Sequence, residues 1–390
     1  MKLNFTAILF LLLFNAAACK SANDTNTDYE EEPELPSNPS YQLPDIITNP
    51  SESFYPVSRL WQGIPGIAKT KGGRLFASIY SGGTQEPHKE NYAIYMVSDN
   101  DGAIWIDPFL IVDHPHEDVH VFDPSLQVDP LGRLWICWNQ RVETPRGTPG
   151  WWAIRIDDPD APLEELKKTI AQTKPVRIAT GLRINKFIVL DNGEWLQPVS
   201  HTGTTGFINI YISADQGKTW KLQGRMNGMS SITEPMAVQK ENSHIWLLIR
   251  TTITGGIGQS FSYDYGKKWT AMADNLPEPL RGPQSRFYLS RLKSGALLFV
   301  NNASETERRD MTAYLSCDDG ETWPYSLLLD DRYPSYPDGI QDEEGNVYVV
   351  WDYGRGTAGE LVLSVFTEND IKNGAFGTGS RSRVIVSKLY

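Results

Sequence analysis

Six times along the chain a short apolar strand meets a Gly, Asn or Asp turn and returns as a second apolar strand, with polar residues kept for the strand ends. The pairs run from Ile64-Pro65-Gly66-Ile67 to Leu75-Phe76-Ala77, from Pro124-Ser125-Leu126 to Leu134-Trp135-Ile136, and from Phe187-Ile188-Val189 to Trp195-Leu196. Three more follow at Pro235-Met236-Ala237 to Ile245-Trp246-Leu247, Phe287-Tyr288-Leu289 to Leu297-Leu298-Phe299, and Gly339-Ile340 to Val347-Tyr348-Val349. The turns at Gly73, Gly132, Gly193, Ser243, Gly295 and Gly345 are 59, 61, 50, 52 and 50 residues apart. A period of this length with all-strand content predicts an all-β fold, a six-bladed β-propeller.

A second repeat has the same step. Ser-x-Asp-x-Gly-x-x-Trp occurs at Ser213-Asp215-Gly217-Trp220, Ser262-Asp264-Gly266-Trp269 and Ser316-Asp318-Gly320-Trp323, with a degenerate copy at Ser98-Asn100-Gly102-Trp105. In such a turn the Asp carboxylate accepts backbone N–H bonds, Gly takes the positive φ and Trp fills the space between sheets. The spacing implies one lost box near Arg155-Ile156-Asp157-Asp158.

The first residues carry Lys2, an apolar run from Phe5 to Phe14, and Ala16-Ala17-Ala18-Cys19. This reads as a signal peptide over 1–18, with Cys19 as the site of lipidation in an exported lipoprotein of the periplasm or outer-membrane surface of a Gram-negative bacterium. Residues 19–55 are expected to form a solvated tether and 56–390 the propeller, a monomer that meets the membrane only through its anchor. A net charge of −12 argues against nucleic-acid binding. Only Cys137 and Cys317 remain after Cys19, and both read as small core residues. No spacing matches a zinc, calcium or phosphate-loop motif, so no cofactor and no metal is expected. His114, His116 and His120 read as a loop lining the site, with metal binding the minority alternative.

In a propeller, the starts of the innermost strands and the ends of their partners gather at one mouth. The starts offer Gln62-Gly63, Asp123, Asn185-Lys186, Glu234, Arg286 and Tyr336 with Asp338, and the ends offer Tyr80, Asn139-Gln140, His201, Arg250, Asn301-Asn302 and Asp352. Such a concave polar mouth is the expected site. Trp151-Trp152 suits either a sugar-stacking platform or burial between blades.

With its Asp boxes, the chain resembles the sialidase (neuraminidase) superfamily from Arg59 to about Thr367. The resemblance implies Tyr336 as nucleophile, with Asp352 across the hairpin as its acidic partner, and Glu234 in Thr233-Glu234-Pro235-Met236-Ala237-Val238 as the group that activates it. It also implies Arg250 and Arg309, or Arg308 where the register slips by one, as two of three arginines on a substrate carboxylate. A Tyr nucleophile suits a carboxylate-bearing sugar, because it stays neutral until a base takes its proton.

Two departures stand out. Gly63-Ile64-Pro65 replaces an Arg-Ile-Pro motif, so Arg59, Lys186 or, preferably, Arg286 is expected to supply the missing charge. The loop after Tyr80 lacks the family's Asp, leaving Glu90, Glu86 or His88 as acid/base, with His201 as a further candidate. Three functions follow in order of preference. The first is a retaining exo-glycosidase acting on a terminal acidic sugar of an oligosaccharide or polysaccharide. The second is a lyase or rhamnosidase-type enzyme on uronate glycan, and the third a surface glycan-binding protein without turnover. A structural Glu234–Arg250 ion pair, and Tyr336 as a plug of the axial channel, are the non-catalytic alternatives.

Overall fold

A computed structural model describes residues 37–389 except 203–205, 229–230, 254, 275 and 277. The signal segment and Cys19 lie outside the described residues. Six antiparallel sheets surround one axis, and their inner strands are Gln62–Lys69, Val119–Val128, Ile188–Val189, Ile232–Gln239, Tyr288–Arg291 and Pro334–Gln341. The inner strand of the first blade packs against those of the second and sixth, which closes the ring. All six hairpins expected from the sequence are inner pairs of blades.

The core is divided among the seams between blades. Phe76, Trp138 and Leu126 lie in one such cluster, and Leu196, Ile210, Leu247 and Ile249 in another. Alternation along each strand explains this, since successive side chains reach opposite faces and each sheet has a neighbour on both sides. Burying one such side chain stabilises the fold by roughly 1.5–3 kcal/mol. Trp151 and Trp152 are 0% and 3% exposed, so they belong to the seams and form no sugar platform.

The boxes form as expected. Asp215 Oδ1 accepts from Thr219 N at 2.9 Å, and Asp264 and Asp318 repeat the bond to Lys268 and Thr322 at 2.8 Å. Asn100 does the same for Ile104 at 2.8 Å, so the degenerate copy still works. At the lost box the chain instead continues into the helix Leu163–Gln172, whose Leu166 and Ile170 are buried against the first two blades.

The expected tether ends earlier than residue 55. Asp45–Ile47 pairs with Ile106–Asp113 as an added edge strand, and Gln140 Nε2 donates to Ser40 O at 2.7 Å. Local polarity hid these contacts, which depend on partners far along the chain. Arg59, expected near the substrate, is tied elsewhere: it donates to Phe54 O at 2.9 Å, to both oxygens of Asp107 at 2.5 and 3.1 Å, and to Ser387 Oγ at 3.4 Å. It thereby links the N-terminal arm and first blade to the last strand of the sixth. Cys137 is buried as expected, but Cys317 is exposed; both thiols are free.

Candidate active site

Four inner strands carry the same irregularity. Between Gly63 and Gly66, Phe122 and Ser125, Thr233 and Met236, and Ser335 and Asp338, the inner strand advances three residues while its partner advances two. The extra residue makes a β-bulge. At each one a non-glycine residue holds positive φ: Ile64 at 59°, Asp123 at 46°, Glu234 at 51° and Tyr336 at 57°. Each is followed by proline. Holding such a residue there costs about 1–2 kcal/mol, and strain of this kind concentrates where a side chain must be aimed.

Neighbouring blades satisfy the backbone that the bulges free. Asn185 Nδ2 donates to Glu234 O and Pro235 O at 3.0 Å each, and Asp352 Oδ2 accepts from Ile64 N at 2.8 Å. Arg286 Nη1 donates to Pro65 O at 2.8 Å, its Nε to Asn185 Oδ1 at 2.7 Å and its Nη2 to Asp338 Oδ1 at 3.2 Å. Arg286 is therefore tied on all three nitrogens beneath the mouth and does not replace the missing clamp arginine. Lys186 also departs from expectation. It pairs with Asp338 in the same layer, where burial pulls its pKa down to about 8 despite that carboxylate. Both residues brace the bulges.

Above this layer the expected centre assembles. Tyr336 Oη donates to Glu234 Oε1 at 3.0 Å and accepts from Arg250 Nη1 at 2.5 Å, while Arg250 Nη1 also reaches Glu234 Oε1 at 2.8 Å. Tyr336 stands in an apolar floor with Trp61, Ile64, Tyr80 and Phe122. Burial, and after it the Glu234 charge, hold the phenol well above its usual pKa, so it is neutral at rest. Glu234 Oε2 is buried without a partner, as is Asp123 Oδ1. Burial first, then Glu86 and Glu234, push the Asp123 carboxyl up to about 8. Asp123, Glu86, Arg141 and Glu234 line a side cavity of about 180 Å³. The two unfilled acceptor atoms mark where a polar ligand would find its partners.

Several expectations need correction. Arg309 is exposed and bonded to Asp310 at 2.8 Å; its neighbour Arg308 instead lies over the Tyr336 ring, 5.2 Å from the centroid, with Nη2 on Gln284 O at 2.9 Å. Asp310 holds positive φ at 56°, and its carboxylate takes the Arg309 side chain. In the loop after Tyr80, Glu90 points to solvent with a side chain 67% exposed, whereas Glu86 reaches the mouth. Burial raises the Glu86 pKa, with Arg355 opposing. Asp352 is buried and held on both oxygens. Its Oδ1 accepts from Ser335 Oγ at 2.6 Å and its Oδ2 from Arg355 Nη2 at 2.9 Å, so it positions Arg355. Arg355 is the residue that sequence reasoning missed; its guanidinium lies 4.3 Å from the Tyr336 ring centroid. The signals available were a glycine at position 63 and an arginine three residues after Asp352. Among the described residues, no group of three His, Cys, Asp or Glu is placed to hold a metal ion.

His201 is turned away from this cluster. Its ring stacks on Phe207 at 4.4 Å, and Nε2 lies 3.2 Å from Asn209 Nδ2. Burial, then the Arg225 charge, lower its pKa to about 4, against the Thr180 carbonyl that favours the proton. The folded value lies below the unfolded one of about 6.5, so the folded chain binds the proton less well. The stability this gives is complete above pH 6.5 and is lost as the pH falls toward 4, on the order of 3 kcal/mol in all. Urea unfolding at pH 7 and pH 4.5 is expected to show that loss, and His201→Gln to lack this part of it. An unchanged pH dependence in the variant would refute the assignment.

Known proteins share this architecture. Residues 73–349 match the BNR repeat-like domain family. A sialidase of Micromonospora viridifaciens is 27% identical over 168 residues, which is 40% of this chain and 25% of that protein. The chain therefore aligns with about a quarter of the length of that curated relative. Among solved structures, a Hadza microbial sialidase superimposes with a TM-score of 0.65 at 21% identity, over 80% of this chain and 66% of the other. A protein of unknown function from Dyadobacter fermentans gives 0.61 at 17% identity, over 82% and 96%.

Proposed function

This chain belongs to the BNR repeat-like domain family and has the propeller of the sialidases; from that premise we propose that it is a retaining exo-glycosidase releasing a terminal acidic sugar, sialic acid or a related keto-sugar acid, from an oligosaccharide or polysaccharide. The observation that carries this reading is the Tyr336 phenol held between Glu234 and Arg250 with two more arginines over its ring.

In the first step Tyr336 Oη attacks the anomeric carbon and Glu234 takes the phenolic proton, while Glu86 protonates the leaving oxygen as its bond to that carbon breaks. In the second step water attacks the same carbon and gives its proton to Glu86. The tyrosyl oxygen leaves as water adds and recovers its proton from Glu234. Two displacements at one carbon retain configuration. Arg250 donates to the oxygen that gains negative charge, and it loses no bond in doing so. The arginines are placed to hold a carboxylate at the anomeric carbon by paired N–H bonds. His201 or Tyr336 is the base an elimination on uronate could use; His201 lies against Phe207 and Asn209, which leaves that role to Tyr336.

The test is proton NMR of the purified protein with sialyl, keto-deoxy-sugar and uronate oligosaccharides. Release of free sugar, with the anomer of the substrate appearing first, is expected from one of the first two. Unsaturated uronate would establish the lyase reading instead, and binding without turnover the non-catalytic one. The proposal also keeps export with lipid attachment at Cys19, for which mass spectrometry of membrane-bound protein should find an acylated cysteine.

A further inference from the structure

The space that a first-blade arginine would need is already filled. A β-carbon built on Gly63 would lie 2.8 Å from Arg355 Nε and 2.9 Å from Arg355 Cδ. The stem of an arginine from the sixth blade thus crosses the glycine where the family motif has its own arginine. Its donors are unequally used. Nη2 is held by Asp352 at 2.9 Å, Nη1 reaches Glu86 Oε2 at 3.4 Å, and Nε is buried with no acceptor. Asp352 is 2% exposed and also bound by Ile64 N and Ser335 Oγ, which makes it the anchor. Glu86 sits on a loop, is 33% exposed and bonds at a longer distance, which makes it the weaker tie. Giving up the loose Glu86 bond frees Nη1 for a second carboxylate while Nη2 stays anchored.

Resting on the acidic-sugar reading above, we propose that Arg355 is a shared arm. It supplies the third cation of the anion pocket, and on taking the substrate carboxylate it lets Glu86 go, so that Glu86 takes up from solvent the proton it then gives to the leaving oxygen.

The charges around Glu86 favour this exchange. Arg355 and Arg250 act from one side, with Arg141 and Arg146 across the side cavity; Glu234, Asp352 and Asp123 oppose them. Burial disfavours the Glu86 carboxylate, and Arg355 is the leading influence that favours it. A substrate carboxylate on Arg355 removes that support and adds charge of the same sign, and both changes favour the protonated form. The acid is then loaded when an anionic sugar is present. A sugar lacking the carboxylate would leave Arg355 on Glu86 and so make its protonation less favourable.

The experiment is calorimetric titration of the full protein near pH 6 with free N-acetylneuraminic acid, in buffers of different ionisation enthalpy. Net proton uptake on binding is expected from the parent protein. Glu86→Gln should bind the sugar without that uptake. Arg355→Ala should bind about 10- to 100-fold more weakly, the scale of one lost charge-assisted hydrogen bond, and the double variant Gly63→Arg with Arg355→Ala should recover affinity but not proton uptake. Circular dichroism identifies any variant that has not folded, and Arg355→Lys, which keeps the charge but not the fork, then stands in for the alanine variant with weakened binding and no uptake. Uptake that persists in Glu86→Gln, or undiminished affinity in Arg355→Ala, overturns the proposal. A parent protein that binds no acidic sugar overturns the reading on which it rests.

Discussion

Tyr336→Phe is expected to lower turnover on an acidic glycoside by at least about 10³-fold, the scale on which loss of a nucleophile is felt. The change removes one oxygen from a ring that keeps its apolar floor of Trp61, Ile64, Tyr80 and Phe122. Arg250 retains its 2.8 Å bond to Glu234, so the carboxylate left behind is still paired. Affinity for the free sugar should therefore stay within about threefold of the parent while the chemical step fails, a pattern that marks a group acting only in the transition state. A plug of the axial channel would behave otherwise, because phenylalanine fills the same volume and turnover would survive. Retention of more than a tenth of the parent turnover would disprove the nucleophile assignment.

Arg250→Lys is expected to cost about 10²–10⁴-fold in kcat/KM although charge is conserved. The planar fork holds Glu234 and Tyr336 with one nitrogen and leaves the rest of the guanidinium for a ligand; a lysine ammonium cannot match that geometry. Loss of two charge-assisted hydrogen bonds at about 1.5–3 kcal/mol each gives the stated range. The loss should be steep for glycosides with an anomeric carboxylate and shallow for neutral glycosides, which a purely structural ion pair would not produce. Equal losses on both substrates would assign Arg250 to scaffold alone.

The parts of this molecule that depend on local chemistry could be read from its sequence. Six hairpins with their turns, and four boxes in which Asp or Asn gathers the N–H groups of its own loop, need no distant information. Tyr336, Glu234 and Arg250 were legible because they sit at the ends of those hairpins. Whether Arg309 or Arg308, and which of Glu90, Glu86 and His88, faces the mouth could not be read, because within loops a turn decides which of several near neighbours faces inward. Arg286 and Lys186 occupy the right blades but the wrong depth, since Asp338 and the bulge carbonyl of Pro65 draw them below the mouth. Arg355 could be inferred only from two places read together, a vacancy at Gly63 and a carboxylate at Asp352. One local signal was overlooked: Ile64-Pro65, Asp123-Pro124, Glu234-Pro235 and Tyr336-Pro337 are the same dipeptide position in four blades, and three of the four carry chemistry.

Because those side chains hang from kinks in paired strands, the reacting centre is set by the ring of sheets and owes nothing to the length of the segments that join them. Arg308 comes from the surrounding excursions, which are free to lengthen, shorten or change composition provided that Glu86, the acid among them, keeps its place. A lineage built on this plan can therefore change the sugar it recognises by trading rim segments while its nucleophile and the base that activates it stay in register.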